Sequence, residues 1–129
     1  VQTCALPISD YTPVNVKAEK IKTQNDQTEL QLHKTKDIVA SVASLTNKPF
    51  TVGFAAETEN LKQYAQDKLT RKNLDMIAAN WVGQKEGGFD SAVNALQVYW
   101  QNGQKIFPMT NKSQLANQLL ALIAEKLHA

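Results

Sequence analysis

The sequence contains few of the residues that build metal centres and disulfide frameworks. Of its 129 residues, one is a cysteine, Cys4, and two are histidines, His33 and His128, far apart in the chain. A lone cysteine cannot form an internal disulfide, and this content argues against a zinc site. We therefore expect a reduced, cytoplasmic protein that folds around an apolar core.

Long apolar runs and a strong net charge are missing as well. No run approaches the roughly 18 residues of a membrane-spanning helix. The net charge is only +2, with a pI of about 8.7. Basic runs interleaved with aromatic residues, typical of nucleic-acid surfaces, are absent from the sequence. We expect neither a membrane nor a nucleic acid as partner, and a basic domain that contacts RNA or DNA is the weakest alternative.

The stretch from Val52 to Asn80 predicts a strand, a helix and a second strand. Phe50–Ala56 is a short apolar run typical of a buried parallel strand, and Leu74–Ala79 is another. Between them, Thr58 is the expected N-cap, with Glu59 in the first helical turn. The apolar face of this helix would be formed by Leu61, Tyr64, Ala65 and Leu69. Such a unit places ligands after the first strand, just beyond Phe54.

The segments before this unit predict an arm and a short helix. Apolar residues alternate on both sides of a polar turn at residues 24–27, so residues 14–34 are expected to form a two-stranded arm. Exposed strands of this kind normally need covering, and we expect a second copy of the chain to cover them, giving a homodimer. Asp37–Leu45 predicts a short helix that begins at an acidic cap.

The segments after this unit predict a hairpin and a final helix. Asn94–Trp100 alternates as a strand, and Asn102-Gly103 is a strong hairpin turn signal before its partner strand. Lys112–Leu127 follows as a helix with Thr110 or Asn111 as its cap; its core stripe is Leu115, Leu119, Leu122, Ile123 and Leu127. The fold class is thus α/β: a Rossmann-like layered mixed sheet with helices, a closing β-hairpin, a C-terminal helix and a protruding β arm.

Six short motifs, in order, resemble one enzyme family. They are Asp10-Tyr11, Glu19-Lys20-Ile21-Lys22, Asp37-Ile38-Val39-Ala40, Gly53-Phe54-Ala55-Ala56-Glu57-Thr58, Arg71-Lys72-Asn73-Leu74-Asp75 and Ala79-Asn80. Together they resemble the C-terminal half of bacterial phosphopantothenoylcysteine synthetase, the ligase domain of the bifunctional flavoprotein of coenzyme A biosynthesis. On this resemblance, residues 10–129 are the C-terminal part of a CTP-binding ligase domain whose N-terminal half lies upstream. Residues 1–9 do not fit the family pattern.

The resemblance implies a reaction and a set of partners. The family uses CTP and Mg²⁺ to join 4′-phosphopantothenate to cysteine. The phosphopantothenate carboxylate attacks the α-phosphate of CTP, pyrophosphate leaves, and cysteine then displaces CMP from the acyl-cytidylate. The positions that match the family's CTP contacts are Asp10, Lys20, Asp37, Ile38, Val39, Phe54, Lys68 and Lys72. We expect the chain alone to bind nucleotide with little complete turnover.

The lysines have both a functional and an ordinary interpretation. Lys68 and Lys72 are four residues apart, so they share a helix face and repel each other by roughly 0.2–0.5 kcal/mol. A phosphate between them would reverse the sign, although a solvated face explains them equally simply. Lys20, in a lysine-rich arm, is the expected catalytic residue that stabilises charge on the transferring phosphoryl group. Its alternative is a surface lysine.

The other matched positions also leave alternatives open. Phe54 is either a surface on which a pyrimidine stacks or an ordinary core residue. Asp37 either caps a helix or lies where backbone amides hold the base or ribose. Asp10 either orients ribose hydroxyls or a metal, or caps a turn. Glu57 and Glu59 are closely spaced carboxylates, but acidic residues suit a first helical turn without catalysis.

A second function class competes with the ligase. The chain could hold nucleotide or mediate dimerisation without catalysing a reaction, because much of the family's domain lies upstream. Binding of CTP with pyrophosphate release would indicate the ligase, and binding alone would indicate the passive module.

Overall fold

The structure divides into two compact units. A computed structural model describes residues 9–22, 29–82 and 91–128, and the units comprise residues 1–38 and 39–129. The predicted turn at residues 24–27 lies outside the described residues. No helix in the described part is long and apolar enough to cross a membrane.

The first unit contains a small antiparallel sheet. Strand β1 (Tyr11–Pro13) pairs with β2 (Leu32–Lys34). Backbone bonds extend the pairing at both ends, from the Val14 N–H to the Gln31 carbonyl and from the Thr35 N–H to the Asp10 carbonyl, each at 2.9 Å. The chain does form an antiparallel pair here, but the arm expected at residues 14–34 is only partly confirmed: β1 lies before residue 14, and β2 begins later than its alternation suggested.

The second unit is a mixed sheet with helices. Its elements, in order, are α1 (Ile38–Ala43, whose first residue belongs to the first unit), β3 (Val52–Glu57), α2 (Leu61–Arg71), β4 (Met76–Trp81), β5 (Val93–Trp100), β6 (Gly103–Asn111) and α3 (Lys112–Leu127). The strand order is β3-β4-β5-β6, with β3 and β4 parallel and the other pairs antiparallel. The predicted α/β class with a closing hairpin and C-terminal helix is confirmed.

Two apolar clusters, one against each face of the sheet, form the core. Neighbouring strand residues point to opposite faces, so Ile77 packs with α2 whereas Ala78 packs with α3. The cluster on the α2 side is Ala55, Leu61, Ala65, Leu69, Ile77, Ala79 and Tyr99, and that on the α3 side is Met76, Ala78, Leu96, Val98, Phe107, Leu115, Leu119 and Leu122. Tyr64 and Leu127, expected on the apolar stripes, are 37% and 43% exposed.

A polar network fixes where the parallel strands begin. The Asp75 carboxylate accepts hydrogen bonds from the backbone N–H and side-chain hydroxyl of Thr51, at 2.8 and 2.9 Å, and pairs with Lys48 at 2.9 Å. The carbonyl of Thr51 accepts in turn from the backbone N–H groups of Asp75 and Met76. Both strands therefore begin after this network, two residues later than their apolar runs suggested.

Each end of α2 adjoins an asparagine in the left-handed conformation. The expected N-cap at Thr58 is wrong: the helix begins at Leu61, and Asn60 precedes it at φ 46°, a left-handed conformation that asparagine tolerates. At the other end Asn73 is also left-handed, at φ 53°. Bonds from the Asn73 N–H to the Thr70 carbonyl and from the Leu74 N–H to the Leu69 carbonyl complete a Schellman motif.

The closing hairpin turns one residue earlier than predicted. Trp100 pairs with Gly103, so the two loop residues are Gln101 and Asn102. A β-carbon at Gly103 would lie 2.7 Å from the Trp100 ring, which is why glycine is required there. The Lys126 ammonium lies 4.8 Å from the centre of the same ring and links α3 to the hairpin. The Asn111 side chain caps α3 by accepting the Gln114 N–H at 2.8 Å, as one of the two candidates predicted.

We predict that Asp75→Asn lowers the free energy of unfolding by about 1–3 kcal/mol, the cost of weakening hydrogen bonds to a charged group. Burial alone would raise the pKa of Asp75, but the bonds from Thr51 and Lys48 outweigh it and lower the pKa below 3.8. Since the folded-state pKa is the lower one, this stability is present at neutral pH and is lost as the pH falls below about 4. Urea unfolding from pH 7 to pH 3 checks this. A parallel pH dependence in parent and variant would contradict it.

Candidate functional site

Phe54 lies in the middle of β3 with its side chain in solvent. The side chain is 71% exposed, whereas the neighbouring Ala55 is 4% exposed. The interpretation of Phe54 as a core residue is therefore wrong. By strand alternation its ring is on the face opposite α2, since Ala55 packs with α2 and Val52 packs with the cluster of α3. Within the described residues β3 pairs only with β4, so the ring also borders an open sheet edge.

Glu57 and Lys68 form an ion pair at the C-terminal end of β3. Glu57 is the last residue of the strand, and its side chain is 13% exposed. The Lys68 ammonium donates to its carboxylate at 2.6 Å. Alternation puts Glu57 on the same face as Ala55, under α2, which is how a helix lysine reaches it. The sequence suggested for Glu57 either catalysis or a place in a first helical turn, and its pairing with Lys68 was not predicted.

Lys68 and Lys72 both lie at the C-terminal end of α2. Lys68 is in the last turn and Lys72 is the C-cap residue, whose backbone N–H donates to the Lys68 carbonyl at 3.0 Å. Positive side chains complement the partial negative charge of a helix C-terminus, so the helix dipole alone also explains why lysines occur here. A polyphosphate at this end of α2 would be held by the lysine side chains, because the helix dipole itself does not attract it.

A shallow surface depression adjoins the ion pair. Its walls include Glu57, Lys68, Tyr64 and Arg71. Tyr64 is one turn before Lys68 and Arg71 is three residues after it, so helical spacing brings all three to one side of α2. Neither Tyr64 nor Arg71 was predicted to contribute to a site. Their helical spacing from Lys68 could have indicated that they share its side of α2. That spacing points to a site only when the pairing of Lys68 with Glu57 is known.

The remaining predicted residues divide between the two units. Asp10, Lys20, Asp37 and Ile38 belong to the first unit, and Val39 begins the second. Asp10 and Lys20 are exposed. Asp37 directly precedes α1, as expected for a residue at a helix start. Convergence of these residues with Phe54 and Lys68 on one nucleotide stays a prediction.

No cluster of three or more carboxylate, histidine or cysteine side chains suited to a metal occurs among the residues that the structure describes. Magnesium commonly binds through one or two carboxylates together with substrate phosphates, and it keeps several waters.

The parallel pairing of β3 with β4 through the crossover helix α2, within a mixed four-stranded sheet, defines an α/β domain. A family model described as DNA/pantothenate metabolism flavoprotein C-terminal domain matches residues 1–127. The chain belongs to this family, and the resemblance drawn from its six motifs is confirmed.

Curated relatives are bifunctional proteins of coenzyme A biosynthesis. The chain is 50% identical over 123 residues to the coenzyme A biosynthesis bifunctional protein CoaBC of Vibrio cholerae, covering 93% of this chain and 31% of that protein. It is 47% identical over 117 residues to CoaBC of Escherichia coli, covering 88% and 29%. CoaBC of Bacillus subtilis is 35% identical over 118 residues, covering 91% and 29%. The chain thus spans about a third of the length of these relatives.

Solved structures show the same fold. The crystal structure of the C-terminal domain of a CoaBC protein superposes with a TM-score of 0.70 at 29% identity, covering 94% of this chain and 51% of the solved one. The DNA/pantothenate metabolism flavoprotein from Streptococcus pneumoniae superposes with a TM-score of 0.67 at 24% identity, covering 95% and 58%, and supports the fold alone.

We predict that Phe54→Ala changes the free energy of unfolding by no more than about 0.5 kcal/mol, because the ring is mostly in solvent. The matched control is Phe107→Ala, which removes a ring that is 4% exposed and should cost about 3–5 kcal/mol. Urea unfolding of both variants measures the difference. A loss at Phe54 as large as that at Phe107 would show that Phe54 is structural after all.

Proposed function

We propose that this chain is part of a ligase of coenzyme A biosynthesis that binds CTP and joins 4′-phosphopantothenate to cysteine. The observation that carries the proposal is the alignment of 93% of the chain, at 50% identity, with a bifunctional protein of that pathway. The exposed ring and the cations near the end of β3 supply groups that a nucleoside triphosphate needs.

The proposed reaction has two steps. In the first, a carboxylate oxygen of 4′-phosphopantothenate bonds to the α-phosphorus of CTP while the bond to the β-phosphate oxygen breaks, giving the acyl-cytidylate and pyrophosphate. In the second, the amine of cysteine bonds to the acyl carbon, CMP leaves, and the amine loses a proton. The protein's task in the first step is to bind and neutralise the triphosphate, since charge redistributes over phosphate oxygens.

Three lysines are assigned to the phosphates. Lys68 and Lys72 bind the triphosphate from the C-terminal end of α2. Lys20 donates to the phosphoryl oxygens as the bond to pyrophosphate breaks, and it is the catalytic residue of the proposal. Lys20 is exposed and irregular in conformation, so its side chain is free to close over a bound ligand.

The nucleoside is assigned to the other matched positions. The exposed ring of Phe54 stacks on the cytosine. Asp37, Ile38 and Val39, at the beginning of α1, contact the base and ribose. Asp10 orients the ribose hydroxyls or the metal. Mg²⁺, carried by the phosphate oxygens, would neutralise part of the triphosphate charge.

We also propose that the protein is a homodimer. The two strands of the first unit are three residues each, and an isolated two-stranded sheet is marginally stable in water. Apolar side chains in this unit are exposed, among them Val16 at 81% and Leu30 at 61%. A second copy of the chain would cover them.

Nucleotide titration tests the proposed activity. We predict that CTP with Mg²⁺ raises the melting temperature, because a ligand that binds only the folded state stabilises it. ATP and single-stranded RNA at the same concentrations should have little effect. Addition of 4′-phosphopantothenate should then release pyrophosphate if the chain is catalytically competent. Binding without release indicates the passive nucleotide module, and no response to CTP contradicts the proposal.

We predict that Lys20→Gln slows pyrophosphate release by about 100-fold or more, the usual effect of removing a donor to the transition state. Its melting temperature should match the parent's, because the side chain is exposed. Lys17→Gln, an exposed lysine in the same segment, is the control that removes equal charge. The rates are measured on this chain if it releases pyrophosphate, and otherwise on a longer protein that contains it. Equal rates for Lys20→Gln and parent would remove Lys20 from the mechanism.

A further inference from the structure

The ion pair between Glu57 and Lys68 brings a negative charge to the place where the proposed function needs a positive one. The Glu57 carboxylate is largely buried, with 13% of its side chain exposed. It accepts a hydrogen bond from the Lys68 ammonium at 2.6 Å. A partly exposed lysine remains partly hydrated and mobile unless something holds it; here 35% of the Lys68 side chain is exposed. The pair therefore fixes one end of an otherwise flexible side chain.

Helix geometry explains how the pair forms. Side chains on a helix lean toward its N-terminus, so Lys68 extends back over the preceding turn of α2. This direction leads from the last helical turn toward the end of β3, where Glu57 is the final strand residue. The hydrogen bond to the carboxylate holds the ammonium at this place, on the wall of the depression that Tyr64 and Arg71 also line.

The second partly buried ion pair of the sheet has a different setting. Asp75 pairs with Lys48 at the beginning of β4, and it also accepts two bonds from Thr51. Those bonds join two strand ends to each other and give Asp75 a role in the fold. Glu57 instead joins the end of a strand to a lysine on the wall of a solvent-facing depression.

We propose that Glu57 is a positioning residue, which holds the Lys68 ammonium at the end of β3 so that its other N–H donors face a phosphate of the nucleotide. An ammonium has three donors, so one bond to Glu57 leaves two for the ligand. This inference rests on the proposed function and adds to it a residue that does not itself touch the substrate.

Positioning by Glu57 and simple charge repulsion predict opposite effects on triphosphate binding when Glu57 is removed. Glu57 is an anion close to the expected phosphates, so Coulomb repulsion alone would make its removal strengthen triphosphate binding. Positioning makes its removal weaken binding, because Lys68 then loses its fixed orientation. The two explanations therefore differ in the direction of the effect as well as in its size.

We expect Glu57→Gln to weaken the binding of CTP with Mg²⁺ by about tenfold, within the range of coupling between residues in contact. The charge control is Glu59→Gln, which removes one exposed carboxylate two residues away and should leave the Kd unchanged or slightly lower. Glu57→Gln added to Lys68→Gln should cause no further weakening, because no ammonium remains to be held. Titration calorimetry at constant ionic strength measures the parent and all four variants.

Each outcome decides one question. If the parent binds CTP and Glu57→Gln binds equally or more tightly, the positioning role is wrong and the proposed function stands. If Glu57→Gln weakens binding equally in the parent and in Lys68→Gln, Glu57 acts other than through Lys68 and the inference also fails. If the parent does not bind CTP, the proposed function fails, and the inference fails with it. A general loss of folding is recognised by the melting temperature of each variant.

Discussion

Parallel pairing of β3 with β4 is the constraint on which the second unit depends. Parallel strands cannot be joined by a tight turn, so the chain must leave the sheet, run back along one face and enter again. Helix α2 makes this return. The network around Asp75 secures the beginnings of both strands, and the Schellman motif at Asn73 ends the helix in time for β4. The pairing thereby brings the end of β3 under a helix that carries lysines.

The two ends of β3 combine framework and candidate site in one strand. At its beginning Asp75 holds Thr51 and Lys48; at its end Glu57 holds Lys68. Between them, alternation directs Ala55 into the core and the Phe54 ring into solvent on the opposite face. A ligand that contacts both Phe54 and Lys68 must therefore extend across the strand's open edge or around its end. The nucleoside triphosphate proposed above would have to take one of these two paths.

Periodicity predicted the elements well, and local turn chemistry predicted their ends poorly. Alternation in the strands and the leucine stripe of α3 report burial directly, so they identified the layers. Thr58 failed as a cap because the chain reverses through a left-handed residue, Asn60, whose suitability depends on backbone path rather than on capping strength. The hairpin moved by one residue because Trp100 needs a bare backbone opposite it. The Glu57–Lys68 pair joins residues eleven positions apart, in different elements, and no spacing rule anticipates it.

The contact between Trp100 and Lys126 has a practical consequence. The chain has two tryptophans, and Trp81 is 38% exposed. Trp100 instead packs against the α3 cluster, over Gly103 and beside the Lys126 ammonium. The emission of an indole depends on the charge and the water around it. The fluorescence emission of Trp100 therefore reports whether α3 packs against the hairpin.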